Sequence, residues 1–464
     1  MLGIIIVALS VLSAAYLIAK KYYAPGALLL VGLITLGVAA VVGPEPILTG
    51  KKVTHLEGLD VIQTFTNLLQ TRTAGLGMNI MAIAGFSSYM SAIGASKALV
   101  QISVKPLTLI HSPYLVMSLG LILSLILNIF IPSAAGLALL LMVSLYPVMI
   151  AAGVSRQSAA ATILIGGSCC FGPSGGNNLL AAELTKMHVM DFFLNVQVMV
   201  GWAAVVVMLV VNYFVQKTLD QKDLASGRIT QADFQLPDAA PDEKKDGKEE
   251  RKVPAFYALF PLIPVVLLFV FSPLMYKGIR MEVVTALLTA TFTAFVIDGL
   301  IRRNLRESIA NMKSYAQGMG KVFTSTVFLI VCAEVFAAGL TKSGGIATII
   351  QAAAGMDAGA AAVFTVMFLI VVGCAFVMGS GNAPFFSFAP MIPDAAAAVG
   401  ANAAFMMSPL QLISGMGRSS SPVAGVTIAV SGLSGVDPFV LIRRSIPVMV
   451  CSIIAVYVSA LLQI

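Results

Sequence analysis

Four small polar clusters interrupt the apolar runs of this 464-residue chain. The first pair is Pro132-Ser133-Ala134-Ala135-Gly136 and Gly172-Pro173-Ser174-Gly175-Gly176-Asn177. The second is Gly379-Ser380-Gly381-Asn382-Ala383-Pro384 and Arg418-Ser419-Ser420-Ser421-Pro422, running on to Gly425. Ser133 precedes Pro173, and Ser380 precedes Pro422, by about 40 positions, and the pairs stand about 250 residues apart. Such clusters hold little charge but many backbone N–H groups, hydroxyls and amides. A helix broken inside a membrane offers free N–H groups and the positive end of its dipole, which together attract a carboxylate. Small residues also serve close helix packing. Four clusters at matched places favour a substrate cavity instead, because irregular backbone persists at membrane depth only where it lines one.

Arg418 is the sharpest single residue. It follows Gly415-Met416-Gly417 in a long apolar run with no acid near it in sequence. An intramembrane arginine is costly and marks function by default. Its fork binds a carboxylate through two parallel hydrogen bonds, so an anionic substrate is expected. Glu334, within Val331-Cys332-Ala333-Glu334-Val335, is an acid in the middle of an expected span. It is a candidate carrier of a coupling proton, with a paired structural residue as the competing reading. Glu183, near a span end, is the second coupling candidate.

The elements that must position these residues follow from composition. With 58% hydrophobic and 11% charged residues and a mean hydropathy of +0.95, the chain is far from the quarter or so of charged residues usual in soluble proteins. A polytopic all-helical membrane protein is expected. Stretches long enough to span lie near 1–19, 25–43, 75–94, 155–187 (interrupted), 190–216, 254–272, 281–301, 320–341, 402–434 (interrupted) and 439–462. Segments 112–152 and 358–398 each hold two runs around one cluster and are expected as re-entrant hairpins with tips at Ser133 and Ser380. Segments 97–110 and 343–355 read as amphipathic interfacial pieces. The start, Met1-Leu2-Gly3-Ile4, lacks a basic leader region, so the first apolar stretch is expected to be a retained span.

The formal net charge of +7 follows the positive-inside pattern and does not imply nucleic acid. Lys20, Lys21, Lys97, Lys105, Arg156, Arg302, Arg303, Arg306, Arg443 and Arg444 all fall on one side, read as cytoplasmic, while Lys51, Lys52 and Lys342 fall outside. Each half then carries five spans, an odd number, which makes the halves inverted. The expected organisation is a first inverted repeat over 1–216, a charged cytoplasmic linker over 217–253 and a second inverted repeat over 254–464. Cys169, Cys170, Cys332, Cys374 and Cys451 show no CxxC spacing. His55, His111 and His188 are not spaced as ligands, so no metal is expected and a membrane hydrolase is disfavoured. Trp202 reads as lipid-facing or packing.

The stretch Gly379-Ser380-Gly381-Asn382-Ala383-Pro384-Phe385-Phe386, with Gly417-Arg418-Ser419-Ser420-Ser421-Pro422-Val423, resembles the anaerobic C4-dicarboxylate carriers of the Dcu C type. Ser133-Ala134-Ala135-Gly136-Leu137 and Leu179-Leu180-Ala181-Ala182 share the likeness, which runs from first span to last. It implies a scaffold and a mobile transport domain working as an elevator, a homodimer, and a place in the bacterial inner membrane. The implied function is exchange or ion-coupled transport of succinate, fumarate or malate. Substrate contacts would come from Ser133, Ala134, Gly136, Pro173, Ser174, Gly175, Gly176, Asn177, Ser380, Gly381, Asn382, Ala383, Pro384, Arg418, Ser419, Ser420, Ser421 and Pro422. No cofactor is expected beyond a coupling Na+ or H+. The chain departs from the family pattern at Asn177, where an acid is expected, at Glu183, where a glutamine is expected, and at Glu334, where a small residue is expected. A carrier of another organic anion or of an amino acid in the same superfamily is the alternative.

Overall fold

A computed structural model describes residues 2–20, 22–43, 46–48, 53–110, 112–235, 253–271, 275–276, 278–279, 281–344 and 359–464. Lys21, Lys51, Lys52, His111, the second interfacial piece from residue 345 and the linker beyond residue 235 lie outside them. Among the described residues every regular element is helical. Eight of these helices are long and apolar enough to cross a membrane. A backbone that meets no water must satisfy its own hydrogen bonds, and helices do so within one segment.

The first half runs α1 (Leu2–Ala19), α2 (Ala24–Val42), α3 (Glu57–Arg72), α4 (Met78–Ala92), α5 (Ala95–Val104), α6 (Pro113–Phe130), α7 (Ala134–Ala151), α8 (Arg156–Gly166), α9 (Gly176–Leu184) and α10 (Val189–Ala225). The second runs α11 (Ala255–Val270), α12 (Val283–Arg302), α13 (Leu305–Val322), α14 (Phe328–Lys342), α15 (Gly359–Met378), α16 (Asn382–Phe388), α17 (Ile392–Ala398), α18 (Ala403–Ser419), α19 (Gly425–Ser434) and α20 (Pro438–Leu461). The order of elements recurs. In each half a long helix contains a π-turn, Thr73–Gly77 between α3 and α4, where Gly75 leaves helical geometry, and Phe323–Val327 between α13 and α14. Next comes a helical pair joined by three residues, α6 with α7 and α15 with α16, and then a broken helix, α8 with α9 and α18 with α19.

Packing follows the same exchange between halves. α2 lies on α14 as α12 lies on α4, and α10 lies along α20. Gly32 of α2 permits the first contact, since a Cβ there would stand 2.7 Å from the Phe336 backbone nitrogen. Close backbone approach of this kind is how helices associate without a hydrophobic drive between them. The two π-turns touch: a Cβ on Gly77 would meet Val327 at 2.8 Å.

Some boundaries depart from the sequence expectation. The spans placed at 75–94 and 320–341 begin much earlier, at Glu57 and Leu305. Their first halves, α3 and α13, carry Gln63, Thr66 and Asn67 or Arg306, Glu307 and Lys313, so an apolar-run search passes over them. α6 and α7 are 18 residues each, longer than the short runs expected of a hairpin. α10 carries on to Ala225, so residues 217–225, expected in a solvated linker, are helical. Arg443 and Arg444, counted as loop charges, stand inside the first turns of α20.

Arg444 is in fact wholly buried. Its Nη1 donates to Asp220 Oδ1 at 2.7 Å and to Ser158 Oγ at 2.7 Å, and its Nη2 donates to Asp223 Oδ2 at 2.8 Å. This joins α8, α10 and α20 at one end of the broken helix. Just beyond, Asp233 accepts from Arg156 at 3.1 Å and from Gln157 at 2.9 Å, pinning the chain after α10 to the start of α8. Burial works against the Asp233 carboxylate, but the Thr230 backbone N–H, Gln157 and Arg156 outweigh it and hold the group below the ordinary carboxylate range.

Candidate anion-binding cavity

The helical pairs and the broken helices meet around a cavity of about 260 Å³. Its wall is Pro132, Ser133, Ala134, Ala135, Cys170, Gly175, Gly176, Asn177, Asn382, Arg418 and Val426. The starts of α7, α9, α16 and α19 therefore all face it. The first turns of a helix hold N–H groups with no intrahelical partner, so the wall is rich in donors. No Asp or Glu lines it among the described residues. The volume lies just under the range typical of drug-sized ligands, which suits a small anion.

Each start is built locally. Ser133 caps α7 by accepting from the Gly136 N–H at 3.2 Å, and Ser380 accepts from the Ala383 N–H at 3.3 Å. The break between α8 and α9 turns through two left-handed residues, Cys170 (φ 48) and Gly172 (φ 116). A Cβ on Gly172 would also stand 2.9 Å from the Ile129 Cα, so glycine is needed there twice over. The two broken helices cross in backbone contact at Gly415, whose absent Cβ would collide with the Ser168 carbonyl oxygen.

Arg418 sits at this crossing. Its Nη2 donates to the Gly167 carbonyl at 2.7 Å, at the C-terminal end of α8, where a cation is favoured by the dipole. Its Nε is buried with no partner, and no carboxylate pairs with it among the described residues. The Asn177 side-chain nitrogen is likewise buried and unpartnered. Native structures rarely leave such donors open, and both residues lie on the cavity wall. A carboxylate bound in the cavity would lie against both residues. Asn177→Ala is accordingly expected to weaken dicarboxylate binding roughly tenfold, the weight of one hydrogen bond to a charged group. Calorimetric titration of the purified variant checks it, and an unchanged affinity removes Asn177 from the site.

Of the residues singled out in the sequence, Ser133, Ala134, Gly175, Gly176, Asn177, Asn382 and Arg418 line the cavity. Gly136, Pro173, Ser380, Gly381, Ala383, Pro384 and Pro422 do not line it. Ser174 is turned away: its hydroxyl donates to the Ile129 carbonyl at 2.8 Å, satisfying the open end of α6. Ser420 donates back to the Met416 carbonyl at 3.0 Å. The Ser419 and Ser421 hydroxyls are buried without partners but do not reach the wall.

Three features were not foreseen. Cys170 lines the cavity 3.8 Å from Arg418 Nη2. The break that carries it is held by buried amides: Gln197 donates to Asn178 at 2.9 Å and to Gln411 at 2.8 Å, and Gln411 donates to the Cys170 carbonyl at 3.2 Å. Amides in the middle of apolar runs were the signal available for them. Arg72, at the end of α3, donates from Nε to Glu334 at 2.6 Å and from Nη1 to Glu183 at 2.5 Å, so both coupling candidates meet on one guanidinium. No local pattern marked that residue.

An all-helical chain of membrane-length helices, folded around a donor-rich cavity between two broken helices, is a multi-pass membrane transporter. Residues 2–464 match the family model described as C4-dicarboxylate anaerobic carrier, and the chain belongs to that family. It is 32% identical over 452 residues to the probable anaerobic C4-dicarboxylate transporter DcuC of Vibrio cholerae, covering 97% of this chain and 95% of that one. It is 31% identical over 464 residues to the anaerobic C4-dicarboxylate transporter DcuC of Escherichia coli K12, covering 100% and 96%. Among solved structures its fold is similar to the Alcanivorax borkumensis YdaH transporter, with a TM-score of 0.57, 15% identity, and 94% and 97% of the two chains covered.

Proposed function

We propose that the chain carries C4-dicarboxylates such as succinate, fumarate and malate across the bacterial inner membrane, by exchange or with a coupling ion. The observation that carries this reading is the convergence of four helix starts, with Arg418 and Asn177, on one cavity that no carboxylate lines among the described residues. One carboxylate of the substrate sits against Ser133 and Gly175 to Asn177, and the other against Asn382 and Arg418. The repeats over 1–216 and 254–464 are inverted in the membrane. The two helical pairs are re-entrant and move with the broken helices as one body against the π-turn helices, elevator fashion, within a homodimer. The recurring element order, the exchange of contacts between halves and the likeness to the carrier superfamily support this picture.

The two-carboxylate arrangement has a testable consequence. A monocarboxylate leaves one donor set unpaired in a desolvated site, and unpaired buried polar groups are costly. In proteoliposomes loaded with succinate, external fumarate and malate should compete with labelled succinate for counterflow, and acetate and lactate should not. Equal competition by lactate defeats the arrangement.

A further inference from the structure

We infer that Arg72, Glu183 and Glu334 form a proton-operated latch on α9, the helix whose first turn lines the anion cavity; the inference rests on the carrier reading above. The three side chains come from α3, α9 and α14, so the cluster ties α9 to the pair of π-turn helices. Two carboxylates share one guanidinium, leaving one net negative charge.

The two halves of the cluster are unequal. Glu334 is 5% exposed and Arg72 23%, whereas Glu183 is 39% exposed. Opening the Arg72–Glu334 pair would strand a buried charge, which is strongly unfavourable. The Arg72–Glu183 pair is the more exposed of the two, and opening it strands no buried carboxylate. The contact that yields is therefore the one on α9, and Arg72 stays with Glu334. Arg72 holds that pair through Nε and Glu334 Oε2, which leaves Glu334 Oε1 buried without a partner among the described residues. A proton taken from water by the Glu183 carboxylate cancels the surplus charge and releases α9, and the proton returns to water when the helix has moved.

The latch acts directly on the binding site because α9 is short. Gly176 stands at the cavity and Glu183 seven residues further on, about 10 Å at the helical rise of 1.5 Å per residue. The other elements packed on α9 do not duplicate the device. α4, α16 and the Thr73–Gly77 turn bring no carboxylate, amine, guanidinium or imidazole to it, and α18 brings Arg418 at the cavity end. Lys186 and His188 follow α9 in the connecting turn and Asp191 opens α10; the His188 Nδ1 is already taken, accepting from the Met190 N–H at 3.3 Å. Nor does the second half repeat it. The residue before the matching π-turn is Val322, and the residue of α19 at the position of Glu183, seven after the helix start, is Gly432. One half of the carrier is latched and the other is not.

The test uses the full chain in proteoliposomes with the membrane voltage clamped, reading succinate accumulation with and without an inward proton gradient, alongside succinate binding in detergent. For one coupled proton, a gradient of one pH unit raises accumulation by the parent about tenfold. Glu183→Gln should bind succinate like the parent yet accumulate it with no response to the gradient. Arg72→Lys, which keeps the charge but cannot span both carboxylates, should lose the response in the same way. His188→Gln should respond like the parent. A Glu183→Gln variant that follows the gradient as the parent does overturns the latch, as does a parent that accumulates succinate indifferently to the gradient. A parent that binds no dicarboxylate at all overturns the carrier reading, and the latch with it.

Discussion

Arg418→Lys is expected to lower succinate affinity by about tenfold to 100-fold, the weight of one or two charge-assisted hydrogen bonds. The exchange keeps the charge but not the geometry. Arginine offers a rigid planar fork, and here one prong is already fixed on the Gly167 carbonyl at 2.7 Å, which aims the rest of the group. Its buried Nε has no partner among the described residues, so no interaction within the fold seen there accounts for it. Lysine reaches the Gly167 carbonyl or the substrate, but cannot hold both. The protein should remain monodisperse and keep its thermal stability, because among the described residues Arg418 closes no ion pair whose loss would strand an acid. Calorimetric titration with succinate, beside a heating series in the same detergent, separates the two effects. An intact variant that binds as tightly as the parent would take Arg418 out of the site.

The sequence made some of this visible and hid the rest for identifiable reasons. Ser133, Asn177 and Arg418 were legible because Gly, Pro, Ser and a lone Arg are anomalies in an apolar run, and anomalies of that kind are read residue by residue. The direction of a hydroxyl is not. Ser174 and Ser133 are alike as sequence, yet one fastens the end of α6 and the other caps α7 at the cavity wall. Which of them faces a ligand depends on which neighbour leaves a carbonyl open. α3 and α13 were hidden because polar and charged residues, Gln63, Thr66 and Asn67 or Arg306, Glu307 and Lys313, break their apolar runs on faces that are half-buried or exposed. Arg72 was hidden for a related reason. It sits at the end of such a helix, and its partner Glu334 is 262 residues away in sequence. The unpaired look of Glu334 in the sequence was an effect of that separation. Charge pairing inside a membrane protein is a property of the packed helices, and neither member announces the other.

The largest loss of stability is expected from Arg444→Met, about 3–5 kcal/mol, as for other buried ion pairs broken from one side. Arg444 is fully buried and, among the described residues, is the only cation paired with Asp220, whose other contacts there are hydroxyls: Ser155 at 2.6 Å, Ser158 at 2.9 Å and Tyr114 at 3.4 Å. Removing the guanidinium therefore leaves Asp220 as a buried carboxylate with neutral donors alone. Asp223 suffers less, because Arg443 also donates to it at 3.0 Å. If the cost lies in the stranded acid rather than in lost packing, removing the acid as well should restore much of it. The double variant Arg444→Met with Asp220→Leu is thus expected to be clearly more stable than Arg444→Met alone, since a buried pair replaced by apolar groups of similar volume is often neutral. The midpoint of heat-induced loss of the monodisperse peak, compared at one heating rate for parent, single and double variants, reads both effects. A single variant as stable as the parent would show that Asp220 does not depend on Arg444. A double variant no better than the single would place the cost in packing between α8, α10 and α20 instead of in charge.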